Sequence, residues 1–360
     1  MSDDLRRTTI IDVARHAGVS TKTVSRVLND KPHVTQAVRS SVLAAIEAVR
    51  YYPNVLARAL VQGRSNLIGL VYENPSPSYV VDLQKGVLHR LLGERYRLVV
   101  VPIESVAQRE GEVVGLLRSA ALDGVVLAPP ASDSRHILDA LAAAGIAFAR
   151  IAPTSYVGAG PSNLIDDVAA AREIASHVIE LGHKEIAIIE GDPTHPSSLA
   201  RSQGYSEALG VAGLTVRPDR IEQGFYTYES GYQAAVRLLG ARERPTAILA
   251  QNDDMAVGAL VAAREAGLAV PEQISIAGFD DAEVSRIAWP PITTIRQPVF
   301  DMAFVAAGMV IAQMEGTAPE MCRQHRHELL IRKSTGVVPT RHARSDRPAD
   351  PASVKGEAFR

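Results

Sequence analysis

The chain has 360 residues, 46% apolar and 22% charged, with one cysteine and a net charge of −2. These values exclude wholesale disorder, collagen, coiled coil and an internal disulfide framework, and leave enough chain for two or three domains with a sizeable core. Apolar stretches such as Ala140 to Ala149 are too short to span a bilayer, and the first 30 residues hold no apolar run, so the expectation is a cytoplasmic, nucleoid-associated protein without a secretory signal or membrane contact.

The near-neutral total hides an asymmetry. Met1 to Ser65 carries ten Lys/Arg against five Asp/Glu, whereas the rest carries 28 against 35. A basic head on an acidic body points to a polyanion partner for the head alone. Within the head, Thr9 is placed to cap a helix from about Ile10 to His16, with Val13, Ala14 and Ala17 inward. Gly18-Val19 makes a tight turn, and Ser20 caps a second helix with an apolar stripe of Val24, Val27 and Leu28. Its other face offers Thr21, Lys22, Ser25 and Arg26. Thr35 caps a third helix with Val38, Val42, Ile46 and Val49 inward. Two helices about a Gly turn, the second exposing donors at its leading end, describe a helix-turn-helix suited to the major groove of double-stranded DNA.

Pro53 ends the third helix, and Asn54 can cap a short helix to Leu60. A helix of two turns is marginal alone and forms only with a partner. Paired with its copy on DNA, it would offer Leu60 as a minor-groove wedge. The predicted domains are 1–51 for DNA binding, 52–65 for hinge helix and linker, 66–340 for the body and 341–360 for a polar, disordered tail.

From Asn66 onward strands alternate with helices. Strands are expected at Leu67–Tyr72, Leu98–Ile103, Gly124–Ala128, Ala147–Ile151, Glu185–Ile189, Thr246–Ala250 and Ile274–Gly278. Helices are expected at Val80–Leu92, Val168–Leu181, Ser202–Leu209, Ser230–Leu239 and Met255–Ala266. This pattern predicts an α/β body of two doubly wound parallel-sheet lobes facing a cleft. The chain should cross back near Pro291, with the helix Phe300–Glu315 in the first lobe and a last strand near Glu328–Ile331 in the second. Lobe 1 then takes about 66–163 and 292–325, and lobe 2 about 164–291 and 326–340.

Ligands of open parallel sheets lie beyond the carboxyl ends of strands. There the sequence places Glu73 and Asn74, then Tyr79, and also Asn252-Asp253 and Asp280-Asp281. Arg201 stands at the entry of the Ser202 helix, and Phe225-Tyr226 precedes Ser230. Carboxylates and an arginine flanked by rings suit a polyhydroxylated ligand.

The run Thr9-Ile10-Ile11-Asp12-Val13-Ala14-Arg15-His16-Ala17-Gly18-Val19-Ser20-Thr21-Lys22-Thr23-Val24-Ser25-Arg26-Val27-Leu28-Asn29, with Tyr52-Pro53-Asn54 and Ala57-Arg58-Ala59-Leu60, resembles the LacI/GalR family of bacterial transcription regulators. The likeness continues to about residue 340. It implies a homodimer on a pseudo-palindromic operator, hinge helices paired in the minor groove, and a periplasmic-binding-protein-like body. It implies base reading by Thr21, Lys22 and Arg26, phosphate contacts by Ser20, Thr23, Ser25 and Asn29, and hinge contacts around Asn54, Ala57 and Leu60. In the body it implies that Arg201 and Asp253 hold the effector and that Tyr226 stacks on it. Asn74-Pro75-Ser76-Pro77-Ser78-Tyr79 departs from the family's pattern.

Other motifs point elsewhere less well. Cys322, His325 and His327 make only three clustered metal candidates, and a strand's alternation explains the His pair. The Asp-Asp pairs have no P-loop, and neither a nucleophile elbow nor a dinucleotide fingerprint is present, so no cofactor, metal or catalytic residue is expected. Trp289 reads as packing. The expected function is a ligand-responsive regulator, a repressor of carbohydrate-utilisation genes released from a palindromic operator by a small sugar-like effector. A corepressor-dependent regulator sensing a purine, nucleoside or sugar phosphate uses the same parts. A solute-binding protein of transport would share the body but not residues 9–60.

Overall fold

The structure, a computed structural model, describes residues 8–28, 32, 34–51, 64–73, 76–156, 158–215 and 217–338. The predicted hinge helix at 54–60 and tail at 341–360 lie outside the described residues, as do Asn29 and Asn74. The chain divides into two compact units, Met1–Asn66 and Leu67–Arg360.

The first unit holds α1 (Ile10–Ala17), α2 (Thr21–Leu28) and α3 (Gln36–Ala48). The Asp12 carboxylate accepts from the Thr9 backbone N–H at 2.9 Å and from its hydroxyl at 2.7 Å, closing the start of α1. Gly18, at φ +65°, lets the chain turn left-handed, and the Val19 N–H reaches back to Ala14 O at 3.0 Å. Ser20 Oγ then accepts from the Thr23 N–H at 3.1 Å, and Thr35 Oγ1 from the Val38 N–H at 3.4 Å. The apolar stripes meet in a small core of Val13, Ala14, Val24, Val27, Val42 and Ala45. Leu28, Val38, Ile46 and Val49, expected inward, pack partly buried around it. Ala45, which no spacing singled out, is fully inside because α1 packs closely on α3.

In the second unit a six-stranded parallel sheet has the order β11-β5-β4-β3-β1-β2, and a four-stranded parallel sheet the order β7-β6-β8-β9. The strands are β1 (Leu67–Tyr72), β2 (Arg97–Pro102), β3 (Gly124–Leu127), β4 (Ala147–Ile151), β5 (Ser162–Leu164), β6 (Ile186–Glu190), β7 (Ile221–Gln223), β8 (Ala247–Ala250), β9 (Ser275–Ala277) and β11 (Cys322–Gln324). Helices cover both faces, so neighbouring residues of one strand feed different cores. Ile186 and Ile188 join one apolar cluster, and Ala187 and Ile189 another.

The chain returns to the first sheet through β10 (Thr294–Arg296), and the helix Val299–Met314 packs against the helix Pro77–Arg90 and strands β3 and β4. The final strand, β12 (Glu328–Leu330), does not enter the four-stranded sheet. It pairs antiparallel with β10, and bridges from Ala277 to Thr293 and from Asp280 to Arg296 carry that ribbon onto the end of β9. The helix expected from Ser202 begins at Pro196, because proline suits a first helical turn. Arg201 therefore stands inside the helix, not at its entry. Among the described residues no helix is long and apolar enough to cross a membrane.

Candidate functional site

Two places carry chemistry. In the first unit, burying Val24 and Val27 turns the opposite side of α2 outward, leaving Thr21, Lys22 and Arg26 exposed. Lys22 and Arg26 are one turn apart, so their cations project from one side of the helix. Thr23 and Ser25 are half-buried at its edge. Ser20 is occupied in part by its cap, and its hydroxyl also bonds that of Thr23 at 2.9 Å.

In the second unit, the carboxyl ends of the two sheets face a cleft lined by Tyr79, Asp167, His195, Arg201, Tyr226 and Asp280, with Pro129, Ala152, Ser197, Asn252 and Gln297 completing the wall. The cavity they enclose is about 30 Å³, room for a water molecule or two. Arg201 is at its centre and 5% exposed. Its Nε donates to Asp167 Oδ1 at 3.0 Å, Nη1 donates to the Gln251 carbonyl, Nη2 lies 3.7 Å from Asp280 Oδ1, and the guanidinium sits 3.7 Å above the Phe279 ring. Burial opposes its charge, but Asp167 and Asp280 outweigh burial and raise its pKa. Close helix packing makes this contact: a Cβ at Gly204 would lie 2.3 Å from Val168 O, so glycine lets the helix Pro196–Val211 press on Asp167–Glu180.

The remaining wall is held by strained backbone. Ala152, Tyr226 and Asp280 have φ of +45°, +60° and +115°, a region L residues adopt at a cost of ~1–3 kcal/mol. Tyr226 is fixed by an edge contact with His195 at 5.4 Å, and Gly191 leaves room for its ring, where a Cβ would approach to 2.2 Å. Burial holds the His195 pKa down at about 4, with Asp192 opposing and Arg201 adding to that depression, so the ring is neutral. Burial pushes Asp280 up to about 7 although Arg201 and a bond from Gln297 pull the other way. Burial raises Tyr79 and Tyr226 too, keeping both hydroxyls protonated.

The comparisons agree with both regions. The family model "Bacterial regulatory proteins, lacI family" matches residues 9–54, and "Periplasmic binding protein-like domain" matches 175–335. Catabolite control protein A of Priestia megaterium is 32% identical over 329 residues, covering 91% of this chain and 99% of that protein. The chain belongs to the LacI family of bacterial regulators. A second relative, the HTH-type transcriptional repressor PurR of Pasteurella multocida, is 32% identical over 91% of this chain and 98% of its own length. The lac repressor dimer, solved bound to operator and the anti-inducer ONPF, superposes with a TM-score of 0.81 at 28% identity, over 92% of this chain and all of that one. As a LacI-family member the chain is a DNA-binding transcriptional regulator whose α/β body is its effector-binding part.

Four of the effector residues expected in this LacI-family body, Tyr79, Arg201, Tyr226 and Asp280, line the cleft together. Two do not. Asp253 is fully buried behind the wall, its Oδ1 accepting from Thr294 Oγ1 and its Oδ2 from the Ala282 N–H, both at 2.7 Å. With both oxygens engaged it fixes the Asp280 loop, and of these two acids it is Asp280 that lines the cavity. Glu73 is also absent from the lining, because its carboxylate accepts from the Val106 N–H at the start of the helix Val106–Ser119. Asn74 lies outside the described residues, as do Asn29, Asn54, Ala57 and Leu60 in the head and hinge.

Sequence reasoning missed His195, Ser197 and Gln297, which carry no motif, and assigned no effector role to Asp167 or Asn252. Asp167 stood in an Asp-Asp pair set aside for want of a P-loop. Asn252 stood beside Asp253; its side chain caps the helix Asp253–Glu265 through the Met255 N–H at 2.9 Å and donates to Tyr226 O at 2.9 Å. Trp289, expected to pack, is 69% exposed with Lys333 over its ring at 5.6 Å. His327 bonds Glu173 at 2.9 Å, and among the described residues no three His, Cys, Asp or Glu cluster as metal ligands.

Proposed function

We propose that the cleft around Arg201 binds a small polyhydroxylated, sugar-like effector and that its occupancy sets the affinity of the head for a palindromic operator. The chain then acts in the cytoplasm as a homodimeric repressor of carbohydrate-utilisation genes, without turnover of its own. The observation that carries this reading is the guanidinium of Arg201 between Asp167 and Asp280, with Tyr79 and Tyr226 as apolar faces beside it. Carboxylates accept from hydroxyls, and rings cover the C–H face of a pyranose.

The cavity of about 30 Å³ is too small for a sugar, so entry requires the two sheets to part. The buried bond from Ser76 Oγ to Asp254 Oδ2 at 2.6 Å ties the helix Pro77–Arg90 of the first sheet to the helix Asp253–Glu265 of the second. Opening the cleft works against this tie, so ligand occupancy and lobe angle are linked. In the proposed mechanism the lobe angle sets the separation of two copies of Asn54–Leu60, and separated copies unfold and release DNA. A ligand shifts the balance only by its different affinity for the two states. On the head, exposed Lys22 and Arg26 support salt-dependent phosphate attraction together with base reading by Thr21, Lys22 and Arg26.

The test is a gel shift of the full chain on operator DNA selected from random duplexes, with and without a panel of mono- and disaccharides. The reading expects a specific shifted band that at least one sugar weakens. A band that no sugar or other small molecule alters contradicts the effector role of the cleft, and absence of any specific band contradicts the whole.

A further inference from the structure

We infer, building on the reading of the cleft as the effector site, that its ligand carries no negative charge: an unphosphorylated sugar or polyol, or an amino derivative of one, and not a sugar phosphate or sugar acid. Among the described residues lining the cavity Arg201 is the one cation; its Nε is held by Asp167 and its Nη1 by the Gln251 carbonyl, its Nη2 faces Asp280 at 3.7 Å, and one face is closed by Phe279. A phosphate could gain this guanidinium only by stripping it from two buried carboxylates, leaving them unpaired beside the new anion.

Further acids stand close by. Asp254 is buried at the rim on Ser76, and Asp192 is near enough to Glu73 to push its carboxyl pKa up, adding to burial. Two helices that start at the cleft carry acids in their first turns, Asp167 in one and Asp253 and Asp254 in the other, whereas those beginning at Pro77 and Pro196 carry none. Asp167 already matches the charge of Arg201, so the described lining carries no net positive charge to hold an anion.

The groups left open are neutral. The Tyr79 hydroxyl and both ring nitrogens of His195 have no hydrogen-bond partner among the described residues, although the two residues are only 8% and 2% exposed. The Ser197 and Tyr226 hydroxyls share only a long contact of 3.4 Å. Hydroxyl and neutral imidazole groups exchange donors and acceptors with sugar hydroxyls, and the carboxylates accept from hydroxyl or ammonium groups. The same set gives a phosphate weak, uncharged donors at best.

The experiment is calorimetric titration of the intact protein with matched compounds: glucose, glucose 6-phosphate, glucuronate and glucosamine; galactose with its 1-phosphate and galactosamine; ribose with its 5-phosphate. The inference expects the tightest binder to be a neutral or amino compound, with its phosphate ester at least ~10-fold weaker, a difference of about 1.4 kcal/mol. It also expects Asp280→Asn to narrow that gap. A phosphate ester or uronate that binds more tightly than its parent, and loses that binding in Arg201→Met, overturns the inference while upholding the effector site. Absence of binding by every compound instead overturns the effector reading, and this inference with it.

Discussion

On α2 the groups proposed to meet DNA stand in solvent, with Lys22 and Arg26 on the side opposite a core of six small and medium apolar residues. In the cleft the corresponding groups are buried charges: Arg201 at 5% exposure, Asp167 at 8%. The difference has an energetic consequence. An exposed cation contributes to binding and almost nothing to folding, whereas a buried ion pair that loses one member leaves the other desolvated and uncompensated. Substitutions on the head should therefore change affinity alone, and substitutions in the cleft should change affinity and stability together.

The largest expected effect breaks or sharpens that contrast at once. Arg201→Met leaves Asp167 and Asp280 unpaired and should lower the unfolding free energy by ~3–5 kcal/mol in urea denaturation, with loss of effector binding. A loss below ~1 kcal/mol would mean that the cleft charges are as solvated as those of the head. On the head, Lys22→Ala and Arg26→Ala should each weaken operator binding by ~1–3 kcal/mol in fluorescence anisotropy. Their stability should stay within ~0.5 kcal/mol of the parent.

A third comparison separates the two neighbouring carboxylates. Asp253→Asn disturbs the bonds from Thr294 and Ala282 and should cost ~1–3 kcal/mol of stability. The intrinsic effector affinity of its folded fraction should remain within ~0.5 kcal/mol of the parent. Asp280→Asn should do the reverse, reducing effector affinity more than stability. If calorimetry ranks them the other way, Asp253 and not Asp280 faces the ligand.

The smallest effect is a slope with pH. Folded His195 titrates near 4 and an unfolded histidine near 6.5, so between those values the unfolded chain binds more protons. The stability from keeping His195 neutral is present above pH 6.5 and is lost as pH falls toward 4. Asp280, near 7 when folded, works in the opposite sense: its contribution is present below about 3.9 and lost as pH rises to 7. The two oppose one another between pH 4 and 6.5. His195→Gln should therefore lose less stability than the parent on acidification through that window, by ~1–3 kcal/mol in denaturation midpoints. Parallel pH profiles would show that His195 is not held neutral by burial.

The same contrast explains what could be read from the residues alone. The head was legible because its signals are local: a cap at Thr9, a left-handed glycine at 18, a cap at Ser20, and donors opposite Val24 and Val27. The longer strands were legible because a strand covered on both faces is a near-continuous apolar run, as in Leu67–Tyr72 and Ala147–Ile151. Strands of three residues, Ser162–Leu164 and Ile221–Gln223, carry no period and escaped. In the cleft, residues just past strand ends were found, but not which of two acids turns inward. That choice depends on Thr294, 41 residues from Asp253, and on positive φ at Asp280. His195 and Gln297 acquire meaning only when the second sheet places them beside Tyr226 and Asp280.

The most direct test of the central claim, that occupancy of the cleft and DNA contact by the head are coupled in one chain, is the effector Kd of the full-length protein measured with and without saturating operator. Linkage requires that operator change the effector Kd by the same factor by which effector changes the operator Kd. The account predicts a common factor of at least ~5, corresponding to about 1 kcal/mol of coupling, that disappears in Asp280→Asn. Equal effector Kd values with and without operator would contradict it, because the two regions would then bind their partners independently.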